Sequence, residues 1–276
     1  MERLIGFIII YVLLLPSTGF SADRQVTILQ YEITSESETI GNMTLRITGD
    51  QSSYLIAEHS QVNKSWWWGT LDLRSTSIEK YNLGNLVSAN SKVFYDDKAY
   101  WTTMEQSETG VWGSVTEVKN TSQKEIDEFA ALSVEISNLL LPNLGQILSL
   151  SQQIFSGSQG NASGVRFARS QFDTTANQLP LFIQSYQGKE LPALVNILDT
   201  ETLKINESTL KDFGDESIQI GGQAMSTRHV QISDASSEPA HIWISTQGSF
   251  IPYIAQFTGI DDGLPITIQL ISSPGS

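Results

Sequence analysis

The residues able to do chemistry in this chain are few. There are three histidines, His59, His229 and His241, and no cysteine. If the strands on either side of Ala235 to Pro239 pair as a hairpin, Val230 and Ile232 face Ile242 and Ile244. His229, His241 and Trp243 then share the other face with Gln231 and Ser245. Two imidazoles on one face begin a metal site, but zinc takes three or four ligands and the pattern places no others. No metal and no cofactor is expected. The adjacent carboxylates Asp96-Asp97 and Asp261-Asp262 fall at turn positions, where Asp is favoured because it hydrogen-bonds its own backbone. No Gly-x-Ser-x-Gly elbow, Walker loop, dinucleotide fingerprint or His-Glu-x-x-His occurs. No catalytic residue is assigned, and the residues give no ground for calling the protein an enzyme.

Aromatic side chains are the better candidates. In Trp66-Trp67-Trp68, Trp67 is in phase with Leu71 and Leu73 and belongs to a core. Trp66 and Trp68 point the other way with Thr70 and Asp72. Exposed aromatic rings stack on sugar rings or acyl chains. The candidate ligand-binding set is therefore Trp66, Trp68, Tyr100, Trp101, Trp112, His229, His241 and Trp243.

These residues need strands to hold them. Period-two alternation runs through Val26 to Ile33 and Ile40 to Ile47, where Met43, Leu45 and Ile47 share one face and Asn42, Thr44 and Arg46 take the other. Tyr54 to Val62 and Trp67 to Ile78 continue it after a turn at Gly49-Asp50-Gln51. Turn signals recur at Asp96-Asp97-Lys98, Thr109-Gly110, Gly221-Gly222, Ala235 to Pro239 and Asp261-Asp262-Gly263. Short strands at this spacing predict a mainly β fold, a curved antiparallel sheet or half-barrel.

One segment departs from the strand pattern. Ser122-Gln-Lys-Glu125 is a capping box. Ile126, Phe129, Ala130, Ile136 and Leu140 follow at helical spacing until Pro142, and Leu144 to Phe155 repeat the period. The spacing predicts a helical hairpin inserted at about 122–156. From Ile136 to Val165 there is no charged residue. That segment packs on a sheet face, covers an apolar groove, or touches a membrane or partner.

The formal net charge of the 276 residues is −14. So acidic a surface repels phosphate backbones, and no nucleic-acid partner is expected. The first residues, Met1-Glu2-Arg3, a dozen mostly apolar positions from Leu4 to Leu15, then Pro16 to Ala22, have the order of a secretory signal cleaved near Ser21 or Ala22. Residues 22–276 then form a single β-rich domain. Its roughly 250 residues bury about 70–75% of their unfolded surface without disulfide staples. An exported, cysteine-free, acidic chain points to a periplasm.

In the C-terminal half, Phe172-Asp173-Thr174, Leu179-Pro180, Ile197-Leu198-Asp199, Gly221-Gly222, Arg228-His229-Val230, Ile242-Trp243-Ile244, Gly248 and Asp262-Gly263 resemble exported bacterial proteins known only as domains of unknown function. Tyr31, Ile40-Gly41 and Thr44 fit the same pattern, so the likeness spans most of the chain. The resemblance implies a half-barrel similar in shape to the periplasmic lipoprotein carriers that hold acyl chains, and it brings no catalytic residues. The expected function is a soluble periplasmic binding or carrier protein for a hydrophobic, lipid-like ligand. An assembly or structural factor with an envelope protein partner, and a carbohydrate-binding or carbohydrate-active protein, remain open beside it.

Overall fold

The computed structural model describes residues 25–66, 69–95, 98–119, 161–234, 238–261 and 263–272. The signal segment, the helical insertion, and Trp67 and Trp68 lie outside them. Eight strands come first: β1 (Gln25–Ser35), β2 (Glu38–Gly49), β3 (Ser53–Trp66), β4 (Gly69–Asn82), β5 (Asn85–Tyr95), β6 (Lys98–Ser107), β7 (Gly110–Lys119) and β8 (Asn161–Ala168). Each pairs antiparallel with the next as a meander. The second group is β9 (Thr174–Thr175), β10 (Leu194–Asp199), β11 (Lys204–Ile220), β12 (Gln223–Asp234), β13 (Ala240–Ser245), β14 (Tyr253–Asp261) and β15 (Leu264–Ser272).

β1 pairs antiparallel with β15. This one ladder joins the two groups into a single sheet of fifteen strands, ordered β8 through β1 and then β15 down to β9. The sheet is curved and unclosed. Its β9–β10 pair is parallel, while the other strand pairs are antiparallel. The strands are longer than the turn spacing suggests, and β11 runs for 17 residues.

The tight hairpins form where both turn residues accept positive φ, the geometry that matches the right-handed twist of the flanking strands. Leu83 and Gly84 sit at φ 49° and 73° between β4 and β5, and Gly221 and Gly222 at 55° and 82° between β11 and β12. Asp50 closes the β2–β3 turn with its carboxylate, which accepts from the backbone N–H of Ser52 and Ser53 at 2.8 and 3.0 Å.

Alternation along β1 buries Thr27, Leu29, Tyr31, Ile33 and Ser35 on the concave face. The register carries that face through Met43, Leu45 and Ile47 of β2 to Tyr54, Ile56 and Glu58 of β3 and on to Ser77, Glu79 and Tyr81 of β4. One core gathers Leu29, Tyr31, Ile47, Tyr54, Tyr81 and Met104 with Leu198, Leu203 and Tyr253. A second gathers Val195, Val230, Ile242 and Ile244 under the short helix α1 (Leu179–Gln184), whose Leu179 and Ile183 are buried. Each fully buried aliphatic or aromatic side chain contributes about 1.5–3 kcal/mol.

The sheet curls until its last strands lie over the concave face of β3 to β6. Tyr81 Oη of β4 and Thr175 Oγ1 of β9 share a 2.7 Å hydrogen bond. Gln178, just before α1, donates to Tyr54 Oη at 2.9 Å. Thr102 of β6 donates to the Glu201 carbonyl, beyond β10, at 2.6 Å. At the far side, Leu203 fills the space above Gly113 of β7, where a Cβ would sit 2.8 Å from its Cδ2.

Candidate functional site

The curl leaves a cavity of about 230 Å³ on the concave face. Tyr31, Met43, Leu45, Ile47 and Ile56 of β1 to β3 form one wall. Ile251, Pro252, Tyr253, Ile254, Phe257 and Ile268, from the β14–β15 side, form the other. Ala176, Asn177 and Pro180, at and before the start of α1, complete it. Drug-sized ligand pockets run from about 300 to 1,000 Å³ and are mostly apolar with a few placed polar groups. This cavity is slightly smaller and has the same character.

Its polar groups differ in how far they are satisfied. Tyr31 Oη donates to the Ile254 carbonyl at 2.9 Å, and Tyr253 Oη donates to the Gln247 carbonyl at 2.8 Å. The first ties the two walls together, and the second fixes Tyr253 to the loop before its own strand. Glu58 is the carboxylate among the described lining residues. It sits between Leu45 of β2 and Ser77 of β4 in the ladder.

Behind Glu58 lie two further glutamates. Glu79 is 1% exposed. Its carboxylate accepts from Tyr81 Oη, Thr200 Oγ1 and the Asn177 side chain. Glu201 stands on the turn after β10, where Asp199 accepts from its backbone N–H at 2.8 Å. Burial disfavours the charged form of all three. It pushes Glu58 up to about 7, with the Glu79 charge adding to the effect. Glu201 is pushed up to about 8 by burial, then by Glu58, Asp199 and Glu79. Glu79 is raised by burial too, against the opposing pull of its three donors. Among the described residues, no lysine, arginine or histidine pairs with any of them.

Tyr100, Trp101, Trp112, His229, His241 and Trp243 of the expected ligand-binding set lie elsewhere. The β12–β13 hairpin has the anticipated register, with Val230 opposite Ile242 and His229 opposite Trp243. His229 is stacked between Phe213 and Trp243, at 4.7 and 4.5 Å between ring centroids. Its Nε2 lies 2.8 Å from His241 Nδ1, and Glu216 approaches its Nδ1 at 3.4 Å while accepting from Trp243 Nε1. This ladder is on the face opposite Val230 and Ile242, away from both cores. Among the described residues, no group of three or more His, Cys, Asp or Glu could hold a metal ion.

Tyr100 and Trp101 alternate on β6. Trp101 lies under the Lys92 ammonium, 4.2 Å from the ring centroid, on the face opposite Tyr100. Trp112 is 44% exposed and rests across Gly164 of β8. Trp66 ends β3 opposite Gly69, and Trp67 and Trp68 lie outside the described residues. Among the described residues, Tyr100, Trp101, Trp112, His229, His241 and Trp243 do not line the cavity and do not come together as one site. His59 is buried on the opposite face of β3, bonded to the Ser75 carbonyl and Thr76.

The signal that marks the cavity is a charge on an apolar face. Glu58 shares a face with Tyr54 and Ile56, and Glu79 with Tyr81. Alternation did not expose them because Leu55 and Ala57, on the other face of the same strand, are buried as well. Compared with known protein families, with curated proteins and with solved structures, the chain matches none.

Proposed function

We propose that this protein is a non-catalytic binding or carrier protein that holds a small apolar molecule in the cavity between β1–β3 and β14–β15. The observation that carries the reading is the lining. Leucine, isoleucine, methionine, proline and aromatic side chains converge from distant parts of the chain around a space of about 230 Å³. A concave, mostly apolar lining with a few placed polar groups is the character of a small-molecule site. The residue pattern of positions 1–22 adds an exported, periplasmic setting to this reading.

The test is occupancy. Organic extraction of the purified protein, followed by mass spectrometry, should release an apolar molecule, and an uncharged probe such as 1-octanol should bind with one-site stoichiometry. Met43→Trp, which fills the space from β2, should abolish both while leaving the strand signal in circular dichroism unchanged. Absence of any extracted molecule together with no octanol binding would overturn the proposal.

A further inference from the structure

An apolar cavity with one unpartnered carboxylate in its wall selects among apolar molecules. Glu58 is placed there by the register of β3, with Leu45 and Ser77 as its cross-strand neighbours. Neither can neutralise it, and no hydrogen bond or ion pair to its side chain is made among the described residues. Glu79 differs, because three donors already hold its carboxylate. The charge facing the cavity is therefore a half-built interaction. Glu58 is partly buried; a carboxylate partly withdrawn from water without gaining a partner is disfavoured in its charged form, and a bound cation offsets that.

We infer that the occupant of the cavity is an amphiphilic amine, whose apolar tail fills the space between β1–β3 and β14–β15 and whose protonated nitrogen pairs with Glu58. This rests on the reading of the cavity as a binding site for an apolar molecule. The surroundings discriminate against the opposite polarity. A fatty-acid carboxylate would meet Glu58, with Glu79 and Glu201 behind it and no cation among the described lining residues. An alcohol would fit the tail space and forgo the ion pair.

The titratable groups that act on Glu58 or share its cavity are Glu79 of β4, Tyr31 of β1, Tyr253 of β14 and Glu201 after β10, with Asp199 next to Glu79 and Glu201. All are acidic or neutral, so nothing in this shell supplies the positive charge in the ligand's place. Because burial holds Glu58 near 7, an arriving ammonium pulls its proton off, and binding is linked to pH. The sign follows from the cation favouring the charged carboxylate. Amine affinity rises with pH through 7 and falls below it.

Isothermal titration calorimetry of the full chain with n-octylamine, 1-octanol and octanoate separates the two readings. At pH 8, octylamine should bind at least tenfold tighter than octanol, and octanoate more weakly than either. Between pH 8 and pH 6 the octylamine affinity should fall about tenfold, while octanol is unaffected. Titrations at pH 7 in buffers of different ionisation enthalpy should show proton release with octylamine and none with octanol. Glu58→Gln should reduce octylamine to the octanol level and leave octanol unchanged.

If octanol binds as tightly as octylamine, or Glu58→Gln keeps the amine preference, the amine inference is overturned and the cavity reading stands. If none of the three binds, both are overturned. The proton-release measurement needs no variant, so a Glu58→Gln protein that failed to fold would still leave a deciding result.

Discussion

Glu58 makes a quantitative prediction about the fold itself. Its carboxyl is moved from 4.5 to about 7 on folding. A group whose folded value is raised contributes stability that is fully present below its unfolded value and lost as pH rises through the folded one. For Glu58 that window runs from about pH 4.5 to about pH 7 and just beyond. At about 1.4 kcal/mol per pH unit, the loss attributable to this residue is about 3 kcal/mol, a large share of the 5–15 kcal/mol that stabilises a typical domain. Glu201 acts in the same direction up to about pH 8. Because the two carboxyls influence each other, their effects do not add.

Urea unfolding of the wild type should therefore show a midpoint that falls steadily from pH 5 to pH 8. Glu58→Gln keeps the shape and cannot ionise. It should equal the wild type near pH 4.5 within about 0.5 kcal/mol and exceed it by about 1–3 kcal/mol at pH 8. With a slope of roughly 1–3 kcal/mol per molar urea, that gain is a midpoint shift on the order of 1 M. The reasoning is refuted if the wild-type midpoint is flat between pH 5 and pH 8, or if Glu58→Gln is the less stable protein at pH 8. Either result would mean that the carboxylate is hydrated or paired in solution.

Three other outcomes follow from the packing. Tyr81→Phe removes a donor that opposes the raising of Glu79, so it should cost about 1–3 kcal/mol, and the cost in urea melts should grow as pH rises. Gly113→Val drives a side chain into Leu203 and Met104, and overpacking of this kind costs about 1–3 kcal/mol. Combining it with Leu203→Ala should cost less than the sum of the two single changes. Asp212 is held below the usual carboxylate range chiefly by its hydrogen bonds from Arg228, which also donates to the Ile183 carbonyl of α1 at 3.0 Å. Asp212→Asn should therefore lose about 1 kcal/mol at neutral pH. The difference should vanish as pH falls through the depressed folded value, because that contribution exists only while the carboxylate is charged.

Much of the architecture was legible from alternation and turn chemistry. The β12–β13 hairpin shows why: Val230 and Ile242 must face the same way if the apolar pattern is to be buried, and a slip of one residue would expose the whole set. The same logic placed Met43, Leu45 and Ile47 on one face of β2, and these residues now line the cavity. The described members of the aromatic set, Tyr100, Trp101, Trp112, His229, His241 and Trp243, do not gather at the cavity for a related reason. Alternation assigns a residue to a face, but it does not say which faces meet. Tyr100 and Trp101 are adjacent and point apart, and the His229 rings stack on the side away from the cores.

The sequence by itself determined the mainly β character, which residues share a face on β2, β12 and β13, and the absence of the usual catalytic motifs, since these depend on side-chain period and local backbone preference. It put Arg46 on a wet face of β2, whereas Arg46 is fully buried. Only the tertiary structure decided that β1 pairs with β15, that the sheet curls until β9 and β10 cross the face of β3 to β6, and that Glu58, Glu79 and Glu201 converge. Apart from the adjacent-strand pair Glu58 and Glu79, those are meetings between residues 94 or more positions apart in the chain. They are governed by how the whole sheet buries its apolar area, which no local pattern encodes.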